Sequence, residues 1–522
     1  MNQKKKLKKF IYLLTFILTL IYIIYRIFFT LPIHLGTTCI IFALLVLSTE
    51  IWESFDFFIY YINSLMTDRE SPNIPTLDNI SDYPDIDIFI ATLNEPEDLL
   101  KNTITACQNL DYPQKDKIHI YVCDDGNRTT IKKLANTMNI NYITRLNNKN
   151  AKAGNYNNAL KHSNSPYIVF FDADMAPTTD FLSITLPFFL KSKHTKIGFV
   201  QLPQSFKNPD IFQYRFHLED KIPFEQEYFY NSLQLAKNKS NSVIFCGTNA
   251  LVSRKALEDV NGFATGTLSE DIATGMLIEN KGYTCIALNN IAAYGNSVED
   301  FTGFAKQRSR WARGCIQMGK KYKISKCTGL SFKQKLEYHS CIYYWYFGIR
   351  RLVYLLAPLL FSMFGIIIID CNVSIFLALW LPTYLLKRFA IDKLENNERS
   401  STWNTIYETI LTPILAVETL KELFGFSKTK FEVSPKVGHS SKMSKLNLKV
   451  LLFHLIILLL NLTGFVMCIF RLKTANLMVY LLPLIWTLSN VFYLAISVLF
   501  DIRYKKYNYK NFTPNKVKQY KY

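Results

Sequence analysis

Two pairs of carboxylates follow short runs of strand-forming residues. Residues 118–123 lead into Asp124-Asp125-Gly126, and residues 167–171 lead into Asp172-Ala173-Asp174. Magnesium takes one or two protein carboxylates and fills its other positions with phosphate oxygens and water, so an Asp-x-Asp after a buried strand suits a metal–diphosphate site. Turn-capping aspartates produce the same spacing. Between the two acidic sites lies Asn150-Ala151-Lys152-Ala153-Gly154-Asn155. Gly154 permits close backbone approach and Lys152 offers a cation for phosphate, the plain alternative being a surface turn. Ser269-Glu270-Asp271 supplies a third acidic site. An unperturbed Asp, with a pKa of about 3.9, is ionised at neutral pH and can take a proton from an attacking hydroxyl. Gln307-Arg308-Ser309-Arg310-Trp311 completes the set. Arg310, with a metal, would meet charge growing on a departing diphosphate. Trp311 offers either a flat face for a sugar ring or an anchor for a helix.

Short strands must hold the acids. Segments 86–91, 118–123, 167–171 and 198–202 are rich in Ile, Val, Phe and Tyr and alternate with helical stretches such as Glu97–Gln108. This alternation predicts a mainly parallel α/β sheet with ligands at the carboxyl ends of its strands.

Long apolar runs flank that sheet. Hydrophobic residues make up 49% of the 522 residues, with 39 Phe and 31 Tyr. About 20 apolar residues cross a bilayer as a helix. Segments 10–29, 37–61, 352–369, 373–386, 450–470 and 477–500 are the six candidates. Basic clusters at both ends, Lys4 to Lys9 and Arg503 to Lys521, account for much of the formal +19 charge. The positive-inside bias then places both termini and the central region in the cytoplasm of a multi-pass plasma-membrane protein, without need of a nucleic-acid partner. The ten cysteines form no CxxC pair or zinc-like spacing, as expected of reduced thiols. The first apolar run is too long for a cleavable signal and lacks a small-residue cleavage site. Two basic or amphipathic segments, Phe301–Tyr322 and the stripe Ile406, Ile410, Ile414, Val417, Phe424, are expected to lie on the membrane or cover the helix bundle.

Taken in order, Asp124-Asp125-Gly126, Lys152-Ala153-Gly154-Asn155, Asp172-Ala173-Asp174, Glu270-Asp271 and Gln307…Arg310-Trp311 resemble the processive family 2 glycosyltransferases, bacterial cellulose synthase catalytic subunits in particular. Residues 92–96, 200–206 and 245–250 strengthen the likeness, which covers about residues 81–438. The resemblance implies a GT-A domain inserted into an all-α transmembrane domain. The divisions expected are 1–66 (two membrane helices), 67–338 (cytoplasmic catalytic domain), 339–500 (channel helices, an interface helix and a gating loop) and 501–522 (basic tail). It implies UDP-glucose as donor, a nascent β-glucan as acceptor and a magnesium or manganese cofactor. Carried across, Asp124 and Asp125 hold the uridine and Lys152 the diphosphate. Asp172 and Asp174 serve donor and metal, with Asp271 as general base beside Glu270. Gln307, Arg310 and Trp311 line the acceptor and diphosphate site, with Cys246 and Gly247 at the acceptor end. Phe431-Glu432-Val433-Ser434-Pro435-Lys436 is similar to the family's gating loop, with Phe431, Ser434 and Lys436 its contacts and Val437 interrupting the usual Lys-Gly pair.

The likeness breaks after that loop. Many Gram-negative relatives continue into a cyclic-di-GMP-binding barrel, where this sequence has helices and a basic tail, so no direct cyclic-di-GMP control is expected. Linkage stays open between β-1,4 and mixed β-1,3/1,4. A hyaluronan-, chitin- or poly-N-acetylglucosamine-type synthase using UDP-N-acetylglucosamine is the main rival, and a non-processive lipid glycosyltransferase a lesser one.

Overall fold

The computed structural model describes residues 2–66, 71–77, 82–192, 195–219, 221–394, 400–426, 445–472 and 477–503. Its ten strands are β1 (Ile86–Thr92), β2 (Ile118–Asp124), β3 (Asn141–Ile143), β4 (Tyr167–Asp172), β5 (Ala176–Pro177), β6 (Ile197–Gln201), β7 (Ser205–Phe206), β8 (Ala250–Ser253), β9 (Thr284–Ala287) and β10 (Ala293–Gly295). Seven form one sheet in the order β3-β2-β1-β4-β8-β6-β9, and β5, β10 and β7 form a small second one.

Strand β1 is buried along nearly its whole length, as expected of a central strand covered on both faces. Its one carboxylate, Asp87, accepts from Ser165 Oγ at 2.7 Å and Arg254 Nη2 at 2.7 Å, which offsets the cost of burial. One face packs Ile88, Ile90 and Phe171 on Leu100 and Ile104 of the Glu97–Gln108 helix. The other packs Phe89, Phe170, Phe199 and Phe245 around Tyr156.

Register decides where the chemistry can sit. Strand β1 pairs in parallel with β2 and β4, matching Thr92 to Asp124 and Ala91 to Asp172, so the acidic ends share one edge. Strand β8 departs from the mainly parallel expectation, running antiparallel to both β4 and β6. That reversal brings the segment just before β8 to the same edge. Asn249 N donates to Phe170 O at 2.8 Å, and Asp172 N donates to Thr248 Oγ1 at 3.0 Å.

Among the described residues six helices are long and apolar enough to cross a membrane: Lys6–Phe29, Thr37–Ile59, Phe347–Phe364, Val373–Lys393, Leu446–Arg471 and Val479–Ile502. The third begins and ends earlier than hydropathy alone indicated. Gly365 adopts a left-handed φ of +71° and terminates it, which a Cβ would oppose. The fourth runs on past residue 386 through Lys387 and Arg388.

The Ser401–Leu423 helix packs on the Phe347–Phe364, Phe301–Tyr322 and Leu477–Ile502 helices, so it covers the bundle. Ile406, Ile410 and Ile414 are buried as the stripe predicts, but Val417 and Phe424 are exposed. Thr412, a polar residue of the same helix, is also buried, its hydroxyl satisfied by Glu408 O at 2.6 Å. A threonine that bonds back to its own helix can face apolar neighbours.

Candidate active site

A cavity of about 370 Å³ opens at the carboxyl edge of the sheet. Asp125, Lys152, Asp172, Asp174, Cys246, Glu270, Asp271, Gln307, Arg310 and Trp311 all line it. Residues up to 220 positions apart in sequence therefore share one space, since Ala91 and Trp311 mark its extremes.

The β2 end divides its two acids. Asp124 is fully buried and turned into its own loop, accepting from Gly126 N at 2.9 Å, Arg128 N at 2.8 Å and Tyr142 OH at 3.0 Å. It is not among the cavity-lining residues. Side chains alternate direction along a strand, so the next residue points the other way. Asp125 faces the cavity and is gripped by Arg145, whose Nε and Nη2 each donate at 2.6 Å. The Arg145 guanidinium also donates to Lys149 O and Ala151 O, both at 2.7 Å, tying the acid to the start of the Ala151–Ala159 helix. Sequence reading missed Arg145; nothing in its spacing marks it, because the pairing crosses β3.

Lys152 stands on that helix and reaches Asp172 Oδ1 at 2.6 Å and Gly247 O at 2.9 Å. Those contacts fasten the β4 end to the segment before β8. Burial tends to lower the Lys152 pKa, yet the neighbouring Asp172 carboxylate outweighs it and the net direction is upward, so the lysine stays charged. Asp174, two residues on, is buried and lines the cavity. Among the described residues no cluster of three His, Cys, Asp or Glu side chains is arranged to hold an ion. Asp172 and Asp174 both line the cavity, and two carboxylates fit a divalent ion that would draw its remaining ligands from a diphosphate and water.

Glu270 and Asp271 open the Glu270–Asn280 helix. Burial pushes both carboxyls above the ordinary carboxylate range; the Asp271 charge pushes Glu270 further, while Lys152 and Arg310 pull both down. Gly247 lies beside Asp271 with a φ of +70°, and a Cβ there would fall 3.1 Å from the Asp271 carboxylate. Cys246 N donates to Gln201 Oε1 at 2.8 Å, and the Cys246 thiol is pushed up by burial, so it is a thiol and no nucleophile.

The Phe301–Tyr322 helix, capped by Asp300 on Gly303 N at 2.9 Å, carries Gln307, Arg310 and Trp311 to the cavity. It comes very close to Ser269. At Gly314 a Cβ would fall 2.5 Å from Ser269 N and clash with the Ser269 hydroxyl. Gly314→Ala is therefore expected to destabilise the fold by about 1–3 kcal/mol, read as an earlier thermal inactivation midpoint of the purified chain. An unchanged midpoint would show that the helix can retreat without strain.

Of the other sequence-predicted residues, Gly247 sits next to the cavity through its contact with Lys152. Phe431, Ser434 and Lys436 lie outside the described residues. Arg308 and Glu225 also line the cavity, and sequence reading gave neither a role.

Comparisons with known proteins bear on the family of the chain. Residues 87–260 match the family model for Glycosyl transferase family 2. The chain is 33% identical over 420 residues to the cellulose synthase catalytic subunit (UDP-forming) of Pseudomonas fluorescens, covering 80% of this chain and 56% of that one. It is 30% identical over 437 residues to the cellulose synthase 1 catalytic subunit (UDP-forming) of Komagataeibacter xylinus, covering 84% and 58%. The chain thus spans less than two thirds of the length of these relatives. A solved mannosyltransferase of Pyrobaculum calidifontis, in complex with GDP-Man and Mn2+, aligns with a TM-score of 0.49 and 20% identity, over 74% of this chain and 99% of that one. With its transferase domain set among apolar helices, the chain is a family 2 glycosyltransferase of the cellulose synthase type.

Proposed function

We propose that this chain is a processive, inverting β-glucan synthase that transfers glucose from UDP-glucose to the end of a growing chain and passes the polymer across the membrane. The observation that carries this reading is the shared cavity: acids at the sheet edge and the Gln307–Trp311 turn face one another across it. The relatives' names state that UDP is their product, which supports a uridine nucleotide as donor.

In this reading Asp125, held by Arg145, binds the uridine, and Asp124 keeps the loop in shape. Lys152 and Arg310 face the diphosphate. A divalent ion at Asp172 and Asp174 supplies further positive charge there when bound. The terminal sugar of the glucan stacks on Trp311 and is oriented by Gln307. Its hydroxyl oxygen forms a bond to the anomeric carbon of glucose as the bond from that carbon to UDP breaks. The proton passes to Asp271, and the electron pair leaves on the diphosphate, where Arg310 and Lys152 meet the charge. Attack from the side opposite the leaving group inverts the anomeric centre to β. The linkage is β-1,4 or mixed β-1,3/1,4. The basic termini orient the transferase domain and both chain ends to the cytoplasm.

Asp271 must be deprotonated to accept the proton. Because burial raises its pKa, the acid limb of kcat/KM for the donor is expected to fall at a pH above the ordinary carboxylate range, with activity lost as pH drops through it. A pH–rate profile on the purified chain checks this; a limb near pH 4 would contradict it.

Washed membranes given labelled UDP-glucose and UDP-N-acetylglucosamine separately test the donor. Polymer from UDP-glucose is expected, and polymer from UDP-N-acetylglucosamine alone would sink the glucan reading. Parallel digestion with a lichenase and a β-1,4-glucanase then assigns the linkage.

A further inference from the structure

Arg308 follows Gln307 directly in the Gln307…Arg310 turn, and its surroundings are unusually complete. Its side chain is almost fully buried, and Glu225 takes the guanidinium through both Nε, at 3.3 Å, and Nη2. The guanidinium carbon lies 4.3 Å from the ring centroid of Trp311 and 4.3 Å from that of Phe304. Nη1 donates to Gln307 Oε1 at 2.9 Å. One cation therefore touches both side chains that meet the acceptor sugar in the reading above.

Glu225 is itself held in place. Its backbone N donates to Asp210 Oδ2 at 2.8 Å, while Asp210 Oδ1 caps the Ile211–Phe216 helix by accepting from Phe212 N and Gln213 N. A planar guanidinium can bind a carboxylate along one edge while its face lies on an aromatic ring, a combination an ammonium cannot make.

We propose that Glu225, acting through Arg308, is a positioning residue for the acceptor platform, an inference that rests on the glucan-synthase reading of the same cavity. Arg308 covers one face of the Trp311 indole, so the sugar stacks on the other, and the ring is fixed at one height. Turning the Gln307 carbonyl oxygen toward Arg308 leaves the NH2 end of that amide to meet a sugar hydroxyl. Removing the Glu225 charge takes away the carboxylate that holds the guanidinium along this edge, and ring and amide lose their common reference. The uridine end of the donor site, built on Asp125 and Arg145, draws on none of these contacts.

The test uses the full-length purified chain, with Glu225→Gln, Glu225→Asp and Arg308→Lys, and reads polymer formed from labelled UDP-glucose beside UDP affinity. Small displacements of a bound reactant cost up to about a hundredfold in rate, so Glu225→Gln and Arg308→Lys are expected to lower polymer formation about 10- to 100-fold and shorten the product. UDP affinity should stay within about twofold of the unaltered chain, and Glu225→Asp, which keeps the charge, should recover a large part of the loss. Polymer within about twofold of normal in Glu225→Gln overturns the proposal. So does a parallel fall of polymer and UDP affinity in all three variants, which marks the pair as structural only. If the unaltered chain makes no polymer from UDP-glucose, the glucan reading itself fails, and that is seen before any variant is compared.

Discussion

Asp271→Asn is expected to reduce polymer synthesis about a thousandfold while leaving UDP affinity within about threefold, the range typical of losing a positioned general base. Asparagine keeps the shape of the side chain and can still accept from Ile272 N, which Asp271 Oδ1 now does at 2.8 Å. Only the ability to take the hydroxyl proton is lost. Glu270 responds in a way that serves as a control. Part of its upward pKa shift comes from the Asp271 charge, so removing that charge relaxes Glu270 toward the ordinary range. If Glu270 takes the proton in place of Asp271, the residual activity should therefore keep its rate to a lower pH than the Glu270 of the unaltered chain would allow. Synthesis retained within tenfold would remove Asp271 from the role of base, whatever its position.

Arg310→Ala should lower turnover by about a hundred- to a thousandfold, as expected when a fixed donor aimed at developing charge is removed. A second signature follows from the same geometry. The Arg310 charge pulls down the pKa of both Glu270 and Asp271. Without it both carboxyls rise further, so the acid limb of the pH–rate profile should move to higher pH as the maximum rate falls. A merely structural arginine would depress the rate without moving the limb. Kinetics across pH on the purified variant separate the two outcomes.

The legible part of this protein is the part written in strands. Runs such as Ile86–Thr92 and Tyr167–Asp172 are apolar on both faces, which identifies them as central strands before any contact is known. An acid at the end of such a run lies at the sheet edge by topology alone, and so the cavity was readable in outline. The division of labour between Asp124 and Asp125 was not. Adjacent identical residues look equivalent, and only the strand's alternation and the partners Arg128 and Tyr142 turn one inward.

Strand β8 escaped notice for a related reason. Ala250–Ser253 is four residues long and carries no alternation, and its antiparallel course is fixed by the sheet and not by its own sequence. The ion pairs Arg145–Asp125 and Arg308–Glu225 join residues 20 and 83 positions apart across loops, where no periodic signal exists. Helix ends followed backbone terms that hydropathy does not weigh. Gly365 stops one membrane helix inside an apolar run, while Lys387 and Arg388 fail to stop another.

If acceptor and donor meet in this one cavity, as proposed, the product end stays at the site that made it and many additions per chain are expected. The most direct measurement is the size distribution of labelled product made by the purified full chain, reconstituted in lipid, from UDP-glucose, with UDP release counted in the same tube. Long, β-glucanase-sensitive polymer is expected, with one UDP released for each glucose incorporated. Single-sugar adducts on lipid, or UDP release with no polymer, would contradict that.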